Sequence, residues 1–241
     1  MSLPPEDQDA LRYPQALVVM ARLPQAGRCK TRLSPALNEE EAASLYHAFL
    51  TDIGRELSDW SSPTDLWVAW SGQDPDPGVL RELFPRGCHF LRQQGDSLTE
   101  RMDAVFEYLF EYGYRRIVMR NSDSPHLPLS FLDQAFSALK LNSGGVVLGP
   151  DLDGGYYLVG LDRPAAGMFP AEMSTTSVFA STVASAQEQQ RSVHELPAFL
   201  DVDDADDLCA FWLEFGGRAD VRHWTTWQFI ETSGLIERLT E

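Results

Sequence analysis

The sequence predicts an α/β fold, a mostly parallel sheet flanked by helices and Rossmann-like in its alternation. Three observations predict it. The first strand candidate, Ala16-Leu17-Val18-Val19-Met20, is apolar at every position, as a strand covered on both faces must be. Further short apolar runs alternate with stretches of helical period along the chain. Several of those stretches begin at N-cap patterns, which separates helix from buried strand where hydropathy alone does not.

Asn38 with Glu41 reads as a capping box, and Ala42, Leu45, Ala48, Phe49 and Ile53 recur at helical spacing, so a helix spans Glu39 to Trp60. Strands follow at Leu66 to Trp70 and near His89 to Arg92, then a helix capped by Ser97 with Glu100. The strand Ile117 to Met119 leads to a helix capped by Ser130 with Asp133. Gly145 to Gly149 and Tyr156 to Leu161 are strands, Thr175 to Gln187 a helix, and a strand lies near Val193 to Leu196. Asp203 to Phe215 opens a helical C-terminal end. With no repeat, low-complexity tract or Gly/Ser-rich linker, residues 1–13 read as a flexible lead-in and 14–241 as one domain. Ligands of such a sheet bind beyond the carboxyl ends of its strands, so the chemistry belongs in the loops that follow them.

Composition narrows the partners. The chain carries 36 acidic and 19 basic residues, a formal net charge of -17, which repels nucleic acid and anionic membrane surfaces. The three cysteines, Cys29, Cys88 and Cys209, show neither paired nor C-x-x-C spacing, so no disulfide framework or structural zinc is expected. Met1 to Asp9 lacks signal-peptide character, and the early apolar run Ala16 to Ala21 is far shorter than the roughly 20 residues of a membrane span. The expectation is a cytoplasmic protein with no membrane span.

Against that acidic background the loop ARLPQAGRCKTRL, Ala21 to Leu33, gathers Arg22, Arg28, Lys30 and Arg32 around Gly27, and Lys30 is one of only two lysines. A cationic loop after the first strand suits phosphate groups, because arginine offers a planar fork and lysine a point charge. The alternative is a surface loop pairing with the excess carboxylates. The loop fits neither the Walker pattern nor the G-x-G-x-x-G fingerprint.

Asn121-Ser122-Asp123-Ser124-Pro125 follows the strand at 117–119 and puts a carboxylate at the sheet's carboxyl edge, although an Asx turn explains it equally simply. Pro150-Asp151-Leu152-Asp153-Gly154-Gly155-Tyr156-Tyr157 offers glycines for close backbone approach and aromatics for stacking, yet Asp-Gly is also a hairpin signal. Asp201 to Asp207 holds five aspartates in seven residues, which favours a helix N-terminus. Their mutual repulsion would also be relieved by a bound cation.

These motifs, together with GDSLTERM from Gly95 to Met102, resemble the bacterial family of small glycosyltransferase-A-like proteins over roughly residues 16–211. The resemblance extends more distantly to molybdenum-cofactor and 2-phospho-L-lactate guanylyltransferases. It implies a GT-A, nucleotide-diphospho-sugar transferase fold and a nucleotide-binding domain over 14–241. It implies Arg22, Gly27, Lys30, Arg32, Gly95, Arg101 and Ser124 at the nucleotide, and Asp123 with Asp203 on a divalent cation, Mg2+ or Mn2+. Gly154, Gly155 and Tyr156 would line the acceptor or sugar pocket, and Lys30, Asp123 and Asp153 would act in catalysis, Asp153 as general base. Two positions depart from the family pattern: Asn121 and Thr99 stand where it usually has glycine, which narrows the space for a ligand.

The expected reaction is metal-assisted transfer of a sugar from a nucleoside diphosphate sugar to a small-molecule acceptor. The alternatives are nucleotidyl transfer from a nucleoside triphosphate to a phosphorylated acceptor, and a non-catalytic nucleotide-binding scaffold. At the C-terminus, Trp224, Trp227, Phe229 and Ile230 around His223 read first as helix packing, with a cover over the acceptor site or a homodimer contact as alternatives.

Overall fold

The computed structural model describes residues 11–33, 36–141, 144–173 and 175–240. The first ten residues of the expected lead-in lie outside them. Strand and helix alternate as β1 (Gln15–Arg22), α1 (Glu39–Asp59), β2 (Asp65–Ser71), α2 (Gly78–Leu83), β3 (His89–Arg92), α3 (Leu98–Tyr112), β4 (Arg116–Arg120) and α4 (Leu129–Leu141). They continue as β5 (Val146–Pro150), β6 (Tyr156–Leu161), α5 (Val178–Glu188), β7 (Val193–Glu195), α6 (Ala205–Phe215), α7 (Thr225–Thr232) and α8 (Leu235–Thr240).

The strands form one seven-stranded sheet in the order β3-β2-β1-β4-β6-β5-β7. β1 lies between β2 and β4 and runs parallel to both, with Val18 opposite Trp67 and Met119. β6 alone is reversed, antiparallel to β4 and β5, because the Asp151–Gly155 turn folds it back as a hairpin. The hairpin reading of Asp-Gly was therefore the right one for that segment.

Alternation along β1 shows why its sequence is apolar throughout. Leu17, Val19 and Ala21 enter a core shared with α1, α4 and the C-terminal helices, whereas Ala16 and Val18 enter a second core with α3 and α5. The capping boxes at Asn38/Glu41 and Ser97/Glu100 form as the sequence predicts. Other expectations need correcting. The helix at 129 starts one residue before Ser130, so Ser130 is not its cap, and Asp133 instead accepts a bond from the Trp60 indole at 3.0 Å. α5 begins at Val178 rather than Thr175, and its first turn is tied to the hairpin, Phe179 N–H donating to the Gly154 carbonyl at 2.9 Å. The sequence reading also passed over α2.

The C-terminal aromatics pack as helices do. Trp227 and Ile230 are buried in the first core. Trp224 joins, at 6.5 Å, a cluster around the buried His126, whose ring lies 4.8 Å from those of Phe199, Phe211 and Phe215, whereas His223 is exposed. Asp52 of α1 anchors this cap by accepting 2.7 Å bonds from the backbone N–H groups of Thr225 and Thr226 at the start of α7. Among the described residues, no helix is long and apolar enough to cross a membrane.

Candidate functional site

The carboxyl ends of β1 and β4 and the β5–β6 hairpin surround a cavity of about 1000 Å³. All five motifs that sequence analysis singled out contribute to its lining. Arg22, Lys30 and Arg32 line it from the loop after β1, Asn121 and Asp123 from the loop after β4, and Asp201 and Asp203 from the segment before α6. Asp151, Asp153, Gly154 and Gly155 of the hairpin and Arg101 of α3 complete it. Four of the sequence candidates lie outside this lining.

Lys30 organises the site. Its backbone is left-handed, at φ 49°, an uncommon conformation for a residue with a Cβ, and its side chain is only 3% exposed. The ammonium lies 2.6 Å from Asp123 Oδ1, 2.9 Å from Asp203 Oδ1 and 2.5 Å from the Val202 carbonyl oxygen. Burial opposes its charge, but the two carboxylates outweigh burial and hold its pKa above the ordinary lysine value. Burial likewise opposes ionisation of Asp203, yet the charge and hydrogen bond of Lys30, then Arg32 and Arg22, keep its carboxyl below the usual range.

Positive charge does not match the acids everywhere. Asp201 is pushed up to about 8, by burial first and then by the negative charges of Asp203, Asp151 and Asp123. Asn121 Nδ2 donates to Asp201 Oδ2 at 3.4 Å, while its Oδ1 accepts from Asp123 N–H at 3.3 Å, so the residue at the departed glycine position joins the two acidic segments. Asp123, Asp151, Asp153, Asp201 and Asp203, with the Asn121 amide, offer hard oxygen donors of the kind Mg2+ and Mn2+ select, and these acids outnumber the cationic side chains Arg22, Lys30, Arg32 and Arg101 of the lining. In kind the residues fit such an ion. They are not pre-assembled for it: among the described residues, no group of three or more His, Cys, Asp or Glu side chains is arranged to hold one.

Of the acidic run, only Asp201 and Asp203 reach the cavity. Asp204 and Asp207 are taken up in the capping box of α6, the role a helix N-terminus predicts for them.

The arginines are less constrained. Arg32 is 64% exposed and 3.6 Å from Asp203 Oδ2, and Arg22 Nη1 donates to the Arg28 carbonyl at 3.4 Å. Arg101 is oriented by bonds to the carbonyls of Gly95, at 3.1 Å, and Asp96, at 2.9 Å. Gly95 thus stands behind Arg101 instead of lining the cavity. Gly27 faces the carboxyl group of Glu39 at the start of α1. Ser124 is fully buried beneath the loop, and its carbonyl accepts from Arg120 Nη2 at 2.6 Å. Tyr156 turns toward Met173, to whose sulfur its hydroxyl donates at 3.8 Å.

Gly154 is required for a reason the sequence did not indicate. It holds φ +89°, and a Cβ there would come within 2.1 Å of the Thr176 carbonyl oxygen, so the close approach it allows is to the chain's own backbone.

Residues not singled out beforehand hold the loops in place. Arg22 N–H donates to Tyr46 Oη at 2.9 Å, Tyr46 Oη lies 2.7 Å from Ser122 Oγ, and Ser122 Oγ donates to the Met20 carbonyl at 2.8 Å. This chain ties the end of β1 to the Asp123 loop. Arg120, 1% exposed, braces the same loop through the carbonyls of Asn121, at 3.0 Å, and Ser124. One signal for Arg120 was available, a charge ending the otherwise apolar stretch Ile117-Val118-Met119.

Residues 60–175 match the family described as "Uncharacterized protein conserved in bacteria (DUF2064)". Among solved structures, the chain is similar to a "putative nucleotide-diphospho-sugar transferase" from Desulfovibrio desulfuricans G20. The two are 27% identical with a TM-score of 0.83, over 94% of this chain and 98% of that one. It also shares the fold of a cytidylyltransferase from Leptospira borgpetersenii serovar Hardjo-bovis strain JB197, at 12% identity and a TM-score of 0.57, over 94% and 96% of the two chains. No curated protein matches the chain. The chain has the nucleotide-diphospho-sugar transferase fold that the resemblance implied.

Proposed function

We propose that this chain transfers a sugar from a nucleoside diphosphate sugar to the hydroxyl of a small-molecule acceptor, with a divalent cation assisting. The observation that carries the proposal is one cavity of about 1000 Å³ with arginines on one wall and carboxylates on another. That volume suits a nucleotide sugar, which needs a large, largely pre-formed cleft with few charged anchors. In this reading Arg22, Arg32 and Arg101 take the diphosphate through charge-assisted hydrogen bonds, and Arg supplies the fork that phosphate oxygens match. Asp123 and Asp203 would hold the cation, which when bound offsets negative charge on the departing nucleoside diphosphate. In this structure both carboxylates pair with Lys30, at 2.6 and 2.9 Å, at the wall of the cavity. Asp153, exposed at the hairpin tip, is the carboxylate free to accept the acceptor's proton.

A second reading is nucleotidyl transfer from a nucleoside triphosphate to a phosphorylated acceptor. What favours it is the three arginines around one cavity, enough positive charge for a longer phosphate chain. A thermal-shift series with nucleoside diphosphates, triphosphates and nucleotide sugars, each with Mg2+, Mn2+ or excess EDTA, separates the two. Metal-dependent stabilisation by a nucleoside diphosphate and its sugar conjugate is the expected result. Preference for a triphosphate selects the second reading, and no shift with any of them rejects both.

A further inference from the structure

Lys30 differs from every other cation lining the cavity. Arg32 is largely exposed, whereas the Lys30 side chain is buried, with acceptors at 2.5, 2.6 and 2.9 Å from its nitrogen. An ammonium has three N–H donors, and Val202, Asp123 and Asp203 together account for all of them. In this arrangement Lys30 has no donor left for a phosphate. The two carboxylates best placed for a divalent cation already share a positive charge.

We propose that Lys30 is the exchangeable counter-ion of the Asp123–Asp203 pair, so that these carboxylates become available to a divalent cation only when nucleotide phosphates take over the ammonium. The proposal rests on the transferase reading above. A divalent cation entering with Lys30 in place would bring a second positive charge to the same oxygens. Lys30 leaving alone would strand a buried ammonium without an acceptor, which is strongly unfavourable. Phosphate oxygens remove that obstacle, and Lys30 shares the cavity with Arg22 and Arg32, which receive them. Cation and nucleotide then strengthen each other's binding by the same factor.

The sequence makes a direct test possible, because it contains only two lysines, Lys30 and Lys140, and Lys140 is exposed at the end of α4. The 241-residue chain labelled with 13C and 15N in lysine therefore gives one buried and one exposed side-chain ammonium signal. Mg2+ alone is expected to leave the Lys30 signal in place, and Mg2+ with a nucleoside diphosphate to move it while Lys140 stays. Displacement by Mg2+ alone overturns the proposal. So does a stationary Lys30 signal in protein that the thermal-shift series shows to be carrying Mg2+ and nucleotide. Absence of any nucleotide-dependent thermal shift would reject the transferase reading itself, a different outcome.

A second measurement needs no nucleotide. Mn2+ titration followed by the EPR signal of the free ion should show Lys30→Met binding Mn2+ about tenfold tighter than the native chain, a typical coupling between sites. Mn2+ should also raise that variant's melting temperature. Equal affinities would overturn the proposal, and if Lys30→Met fails to fold, the lysine spectra of the native protein still decide it.

Discussion

His126 offers a quantitative test of how the C-terminal cap is built. It is 4% exposed, packed among Phe199, Phe211, Phe215 and Trp224, and neither ring nitrogen has a hydrogen-bond partner among the described residues. Burial, then the charges of Arg120 and Arg218, lowers its pKa from 6.5 to about 3. The unfolded chain therefore takes up a proton that the folded chain refuses, and stability falls as pH drops from about 6.5 toward 3. At pH 4.5 an unfolded histidine with a pKa of ~6.5 is protonated about a hundredfold in excess, against roughly a quarter protonated at pH 7. The corresponding loss is about 2.5 kcal/mol between the two pH values, from this one residue.

His126→Phe keeps the ring packing and removes the titrating group. Urea unfolding of both proteins at pH 7 and pH 4.5 isolates the effect, because acid losses from carboxylates are common to both and cancel in the double difference. The native chain should lose about 2.5 kcal/mol more than His126→Phe on acidification. Any cost of fitting the larger ring enters at both pH values and cancels as well. Identical pH dependence in the two proteins would refute the reasoning, since it would mean that the folded chain protonates His126 as readily as the unfolded one.

Further predictions concern the site and its anchoring. Asp123→Asn should lower kcat by roughly a hundredfold or more, as expected for loss of a group that stabilises transition-state charge. If Asp153→Asn leaves turnover intact while Asp123→Asn abolishes it, Asp153 is not the base, and steady-state kinetics on both variants decide this. Arg22→Ala and Arg32→Ala should each weaken nucleotide binding roughly ten- to a hundredfold, measured by isothermal titration, because each removes a charge-assisted bond of about 1.5–3 kcal/mol. Unchanged affinity in both would move the phosphates away from this wall. Asp52→Ala leaves one buried and one half-buried N–H group at the start of α7 without their acceptor, an expected loss of about 2–4 kcal/mol. That corresponds to a melting temperature lower by roughly 5–15 °C in a scanning calorimeter.

Much of the architecture is local information. The apolar β1, the capping boxes at Asn38 and Ser97 and the Asp-Gly turn act over a few residues, and the structure realises each one. Misplaced boundaries occur where a distant segment intervenes, as at α5, whose first turn is bonded to Gly154 in the hairpin. The site motifs were legible for a related reason, since charged residues after buried strands stand out in composition and order. Their division of labour was not. Nothing in DVDDADD distinguishes Asp201 and Asp203, which line the cavity, from Asp204 and Asp207, which cap α6.

The sequence by itself determined the strand and helix order, the helix starts that carry their own caps, and the loops in which charge collects, because periodicity, capping and turn chemistry are short-range. Only the tertiary structure decided that Lys30 belongs to Asp123 and Asp203, separated from it by 93 and 173 positions, and that Arg120 and Tyr46 brace the loops around them. Those contacts depend on how the sheet brings strand ends together. The balance of burial against neighbouring charge that sets Asp201 near 8 exists only once Asp123, Asp151 and Asp203 share its cavity.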